Sequence, residues 1–297
     1  MRFKLSMART LKTLCRIMPL VALSTGASAA DRFANVEIKA QQVRDHVYML
    51  TGSGGNIGVS MGNDATMIID DQFAPLSEKI LAALQKLGGG RPAMILNTHL
   101  DGDHTGGNPF FGQTGTIIAH DNVRQRLAAQ GQLPTIGLPK ITYQQQLQLH
   151  INDERVRVRH MPAGHTDGDS VVLFENANVV HMGDHFFNGA FPYIDIANGG
   201  SVNGFVRNLH ELLATLPQDV LIIPGHGQMG NVDDLRSALE TIETTQAIIN
   251  SGINEQLSDA QIAENLRAYN SWGQGFISVQ RWIDIIRGDR QAYPSAS

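Results

Sequence analysis

The chain has a single cysteine, Cys15, and it lies within the first thirty residues. The rest of the sequence therefore forms no disulfide and offers no thiolate as a metal ligand. Beyond residue 30 no apolar run reaches the roughly 18 residues needed to span a bilayer, and there is no internal repeat, low-complexity tract or linker. Basic residues are scarce, with 23 Lys and Arg against 28 Asp and Glu. Five of those 23 (Arg2, Lys4, Arg9, Lys12 and Arg16) fall in the first thirty residues, which contain no acid, so beyond them 18 basic residues face 28 acidic ones, a net charge near −10. Such a surface repels phosphate backbones, and no basic stripe with interleaved aromatics offsets it, which argues against a nucleic-acid partner.

What is present begins with a leader. The five basic residues precede an apolar stretch at 17–23, followed by Ala27-Ser28-Ala29-Ala30. That order describes a secretory signal peptide over residues 1–30, cleaved after Ala29 or Ala30. A first core helix is a poor alternative, because the charges sit at one end and Pro19 interrupts the apolar part. Leu14 before Cys15 disfavours a lipoprotein anchor. The expected product is a soluble, periplasmic or secreted chain of residues 31–297, a length suited to one domain with a sizeable core and no membrane attachment.

The densest chemistry lies at residues 97–108, Asn-Thr-His-Leu-Asp-Gly-Asp-His-Thr-Gly-Gly-Asn, where His99, Asp101, Asp103 and His104 share six positions. The apolar run 93–96 before it reads as a short buried strand, and Gly102, Gly106 and Gly107 read as a loop. The four side chains then stand at the C-terminal end of a strand, where open α/β sheets place their sites. A loop turns alternate residues to opposite sides, so His99 and Asp101 can serve one cation while Asp103 and His104 serve another. Two cations need about three protein ligands each and an open position for water. Further ligands are offered by His165 in Gly-His-Thr-Asp-Gly-Asp-Ser, Asp184 in His-Met-Gly-Asp-His and His226 in Pro-Gly-His-Gly, each beside glycine and near a short apolar strand.

This order and spacing resemble the metallo-β-lactamase superfamily, whose signature is His-x-His-x-Asp-His followed by a histidine, a bridging acid or cysteine, and a final histidine. The resemblance runs from about residue 36 to about residue 227. It implies that His99, Asp101 and His165 hold a first metal, that Asp103, His104 and His226 hold a second, and that Asp184 bridges them. It also implies an α/β fold of the four-layer αββα sandwich type. One position departs from the pattern, since Asp101 stands where the family usually has its second histidine.

Elsewhere the pattern predicts strands at 47–51, 56–61, 65–70, 93–97, 116–119, 170–175, 179–182 and 220–223, with two more between 141 and 161. Helices are predicted at 75–87, 121–130, 203–216, near 233–250 and at 258–269. Residues 131–139 read as a loop flanking the active site. His46, His120, His150, His160 and His210 are expected to be structural, while His185 lies close enough to Asp184 to reach the pocket. Asp70 is expected either to support a ligand through a hydrogen bond or to serve a strand-end turn. Asp167 and Asp169 are expected to cap the turn at His165, and Asn188 and Tyr193 are candidates for substrate contact.

The expected chemistry is hydrolysis by hydroxide held between two divalent metal ions, zinc first among them, with Asp103 or Asp184 orienting the hydroxide. A small molecule with an amide- or ester-type bond is the expected substrate, and a β-lactam fits a periplasmic location. A lactone or a thioester is the alternative within the same chemistry. Asp101 adds a third negative charge to those of Asp103 and Asp184, which makes a weaker Lewis acid and tilts selection towards iron or manganese. An acid at this position also resembles the di-iron reductases of the same superfamily, which implies a di-iron redox protein as a reading from another class; a non-catalytic metal-binding protein is a further one.

Overall fold

The computed structural model describes residues 32–294, so the expected leader lies outside the described residues. Two sheets face each other. The first has seven strands in sequential order: β1 (Lys39–Arg44), β2 (Val47–Thr51), β3 (Ile57–Met61), β4 (Thr66–Ile69), β5 (Met94–Leu96), β6 (Thr116–His120) and β7 (Ile141–Tyr143). Strands β1 to β4 pair antiparallel and β4 to β7 parallel. The second sheet has the order β12-β11-β10-β9-β8, made of β8 (Gln146–Ile151), β9 (Glu154–His160), β10 (Ser170–Phe174), β11 (Val179–His181) and β12 (Leu221–Ile223). Within it only β11 and β12 run parallel.

The period of two along each strand decides which layer a residue enters. Met67 and Ile69 of β4 point between the sheets, where they join Val172 and Phe174 of β10. Ile68, between them in sequence, points outward to the helix α1 (Ser77–Lys86), where it packs with Ile80 and Leu84. Val171 of β10 likewise points away from the first sheet, into a cluster with Phe205 and Leu209 of α3 (Val202–Thr215) and Leu235 and Leu239 of α4 (Val232–Asn254). The result is helix, sheet, sheet, helix, the four-layer arrangement expected. Helix α2 (Asp121–Gln130) covers the end of the first sheet with Val123 and Leu127.

Several features differ from the sequence reading, beginning with β1, which has no counterpart among the predicted strands. Residues 141–161 hold three strands, because the chain leaves the first sheet after β7 and enters the second at β8. The chain does not end its helices near residue 269: α5 (Asp259–Asn265) is followed by α6 (Val279–Ala292). This last helix buries Trp282, Ile283, Ile285 and Ile286 against the α3/α4 layer, and its Asp289 accepts a hydrogen bond from the Val202 backbone N–H at 2.9 Å. Finally, the loop at 131–139 packs on the turn Asn108–Phe111, with the Asn108 amide donating to the Gly137 carbonyl at 3.1 Å. It is absent from the lining of the cavity described next.

Candidate metal centre

The chain leaves β4, β5, β9, β11 and β12 at one rim of the sandwich, and the acids and histidines follow those exits: Asp70, residues 99–104, His165, Asp184 and His226. Short strands fix the starting points and glycine lets the loops close on one another. A Cβ on Gly225 would lie 2.1 Å from Asp184 Oδ1, and one on Gly55 would lie 2.1 Å from His104 Cε1. Both approaches are below any real contact, so only glycine fits there.

All seven expected ligands converge. His99, Asp101, His165 and Asp184 form one group, and Asp103, His104 and His226 form another, each offering ligand atoms within 4.8 Å of one another. Asp184 faces both. Its Oδ2 is 3.7 Å from the Nε2 atoms of His99 and His165, and its Oδ1 is 3.1 Å from His104 Nε2 and 3.4 Å from His226 Nε2. Asp101 Oδ2 approaches His165 Nε2 at 3.1 Å, and Asp103 Oδ2 lies 3.5 Å from His226 Nε2. The departing residue of the motif thus occupies the expected place in the first group.

The other ring nitrogens are held from behind. His165 Nδ1 donates to the Tyr193 carbonyl at 2.8 Å and His104 Nδ1 donates to Asp70 Oδ2 at 2.7 Å. Thr98 Oγ1 gives its own hydrogen to Asp70 Oδ2 at 2.7 Å, so it accepts from His99 Nδ1 at 2.9 Å. These contacts fix the protonated nitrogen at Nδ1 and aim three Nε2 lone pairs inward. Asp70, buried and also accepting from the Thr98 N–H at 2.7 Å, therefore holds the His104 ring rather than serving only a turn. It completes a third cluster with His99 and His104, but its oxygens are already committed to Thr98 and His104.

The residues fit a pair of cations. His99 Nε2 is buried without a hydrogen-bond partner, and Asp184 Oδ1 has no partner of hydrogen-bonding geometry despite the nearby His104. Buried polar atoms are normally paired, and of the six side-chain atoms left without a partner among the described residues these two face the two groups. Burial, helped by the neighbouring His104, holds the His99 pKa down at about 3. Burial also opposes charge on His165, but Asp101 and Asp184 outweigh it and push the ring up to about 10. Asp101 is held at about 2 by His165 although its burial acts the other way. The carboxylates thus draw positive charge into the site, and protons and cations compete for the same Nε2 atoms.

The remaining expectations divide. Asp169 caps its turn, accepting from the Thr166 N–H at 2.8 Å, whereas Asp167 forms a two-pronged pair with Arg126 at 2.6 and 2.7 Å. His185 does not reach the pocket: it accepts from the Asn208 amide at 3.0 Å and stacks on Phe205 with ring centres 5.3 Å apart. His120 and His160 stack on each other at 3.7 Å. Asn188 and Tyr193 do line the cavity, about 560 Å³ in volume, that opens over Asp101, Asp103, Asp184 and His226. Its walls include Phe73, Phe187, Phe191 and Phe276, which the sequence reading did not single out. Thr98 was also missed, and its position beside His99 in the motif is the signal that could have found it. A depression of about 620 Å³ beside His46 and residues 88–91 holds none of the clustered ligands.

Comparison with known proteins places this geometry. Residues 61–226, more than half of the chain, match the family model described as the metallo-beta-lactamase superfamily. The chain is similar to a hydroxyacylglutathione hydrolase of Nitrosococcus oceani, at 31% identity over 53% of this chain and 57% of that relative. A second protein of that name, from Polaromonas sp., is 30% identical over the same shares of the two chains. The chain thus spans little more than half the length of these curated relatives. Among solved structures, a metallo-beta-lactamase from Pontibacter korlensis superposes with a TM-score of 0.62 at 15% identity, covering 70% of this chain and 99% of that one.

Proposed function

The chain belongs to the metallo-beta-lactamase superfamily, and on that premise we propose that it is an exported, metal-dependent hydrolase that opens an amide- or ester-type bond in a small molecule, a β-lactam first. Residues 31–297 form its catalytic domain once the leader is removed. The observation that supports this most is the division of seven side chains into two groups sharing Asp184. His99, Asp101 and His165 would hold one cation and Asp103, His104 and His226 the other. When bound, such a pair supplies acidified water and polarises a substrate carbonyl.

The chain's own residues do the rest. Asp70, Thr98 and the Tyr193 carbonyl hold the Nδ1 hydrogens of the imidazoles and fix the rings in direction, which leaves Nε2 as the position for a cation. Asp103 stands at the cavity floor with its carboxylate partly open, placed to hold the proton of the attacking water. Phe73 and Phe187 narrow the space above, which strengthens electrostatic interactions at the floor by excluding water. Asp101 brings the count of ligand carboxylates to three, so the site favours zinc less than a two-histidine site does and accepts iron or manganese more readily.

A second reading is a thioester hydrolase, favoured by the names of the two relatives. The test is elemental analysis of the mature chain purified without added metal, with β-lactam, lactone and thioester assays in the presence and absence of a chelator. Two zinc ions and chelator-sensitive turnover of one substrate class support the hydrolase. Iron without turnover of any of the three refutes it and moves weight to the redox alternative.

A further inference from the structure

Four large apolar side chains are substantially exposed among the described residues: Ile136, Ile141, Phe276 and Tyr293. Three are 41–46% exposed, but Phe276 is 86% exposed, nearly a free ring in water. It is also the one that lines the cavity over the ligands. An apolar ring in water is unfavourable by its own exposed area, and one that lines a cavity mouth has its face free for a ligand.

The chain holds this ring in place. Phe276 sits between Gly275 and the buried Ile277, two residues before Ser278, whose hydroxyl caps α6. A few residues earlier, the Trp272 carbonyl accepts from the Phe191 N–H at 3.0 Å, tying the segment to the opposite wall. A Cβ on Gly275 would already stand 3.0 Å from the Ala190 Cβ, so the two segments touch. The Phe276 ring meets Tyr193 edge to face at 6.3 Å between centres. Phe187, stacked on His226 with centres 5.0 Å apart, continues the same apolar wall down to the second ligand group.

The charge of the mouth points the same way. Arg32 is the only Lys or Arg among the described lining residues, and its guanidinium lies 5.5 Å from the centre of the Phe73 ring. Glutathione carries two carboxylates and an ammonium, and against the guanidiniums of Arg32 and of Arg281, which lies beside the Tyr193 hydroxyl, the same cavity sets the carboxylates of Asp101, Asp103 and Asp184. A flat apolar group meets the faces and edges of Phe276, Tyr193 and Phe187, contacts that aromatic pairs favour beyond area alone. The volume, about 560 Å³, suits a drug-sized molecule.

We infer that Phe276 and Tyr193 form an aryl-binding cup that selects substrates carrying a flat apolar substituent and low net charge, with Phe276 as the specificity-determining residue. This deepens the hydrolase reading and rests on it for the word substrate, but the cup itself is a binding property. Its test is calorimetric titration of the metal-loaded mature chain with 2-naphthylacetamide, acetamide and S-methylglutathione, in parallel with the hydrolysis assays above. The naphthyl amide is expected to bind at least about tenfold more tightly than either of the others. Phe276→Ala weakens that binding about tenfold, Phe276→Trp restores it, and acetamide responds to neither. Because the ring is outside the core, both variants keep the wild-type melting temperature. Equal binding of the naphthyl amide by Phe276→Ala and wild type overturns the inference, as does binding of S-methylglutathione as tight as that of the naphthyl amide. A cup that responds to Phe276 in a chain that hydrolyses nothing refutes the hydrolase alone, whereas turnover with no response to Phe276 refutes the cup alone.

Discussion

Replacing Asp70 by asparagine tests whether the ligands are held by the contacts behind them. The carboxylate accepts three hydrogen bonds, all at 2.7 Å: the Thr98 N–H on Oδ1, and the Thr98 hydroxyl and His104 Nδ1 on Oδ2. An asparagine keeps the shape, and its backbone tolerates the left-handed φ of +66° at this position. The Thr98 N–H requires an oxygen opposite it, so the amide nitrogen must take the place of Oδ2. There its N–H meets the N–H of His104, and the ring can relieve the clash only by moving its proton to Nε2. The lone pair aimed at Asp103 and His226 is then lost. Removing a partner of this kind lowers metal affinity by about 10- to 100-fold, or about 1.4–2.7 kcal/mol. Competition with a chromophoric chelator should show one weakened metal equivalent per chain and a second changed far less, with the melting curve of the metal-free chain still cooperative. Two equivalents with wild-type affinity in Asp70→Asn would refute the tautomer reasoning.

Three further outcomes follow from the geometry. Asp101→His lowers the ligand charge by one and removes the contact to His165 at 3.1 Å; metal content should shift towards zinc and the acid limb of the pH–rate profile to lower pH, and if neither moves, Asp101 does not set the metal. Gly225→Ala drives a Cβ to within 2.1 Å of Asp184 Oδ1, so elemental analysis should find fewer than two metals per chain; full occupancy would show that the loop yields freely. His185 is buried, and burial holds its pKa at about 3. In the metal-free chain the unfolded state then takes up a proton below about pH 6.5 that the folded state refuses, so stability falls as pH drops. Between pH 6.5 and 5 this group contributes a loss of about 1.5 kcal/mol, and urea unfolding of His185→Gln should show a correspondingly smaller loss, an unchanged slope being the contrary result.

The clustering of the seven side chains was legible in the sequence because each member carries a local mark. The loops that carry them pack on one another, so His165, Asp184 and His226 each sit beside a glycine, and Gly225 shows the physical reason in its 2.1 Å approach to Asp184. The strand-end position of residues 99–104 could be read for the same reason: a buried apolar run stops where polar side chains must turn into a common space. Asp70 carried half a signal. An acid at the end of a buried strand needs partners, but its sequence neighbours do not say whether those partners are turn amides or, as here, Thr98 and His104 from 28 and 34 residues away.

The aromatic wall had no such mark, because no two of its segments are close in sequence. Phe73, Phe187 and Phe276 become neighbours of one cavity only when β4, β11 and the approach to α6 share a rim. Helix α6 was obscured differently. Arg281, Asp284, Arg287, Asp289 and Arg290 give its sequence the look of a charged tail, yet Trp282, Ile283, Ile285 and Ile286 between them bury completely or nearly so. Trp282 donates to the Thr245 hydroxyl at 3.0 Å and stacks on Phe191 at 5.5 Å, so the helix braces a wall of the cavity. Phe276 enters that cavity only two residues before the Ser278 cap of α6, which makes the position of the ring a consequence of how Trp282 packs. A substitution that loosens Trp282 therefore acts on the mouth of the site as well as on the core.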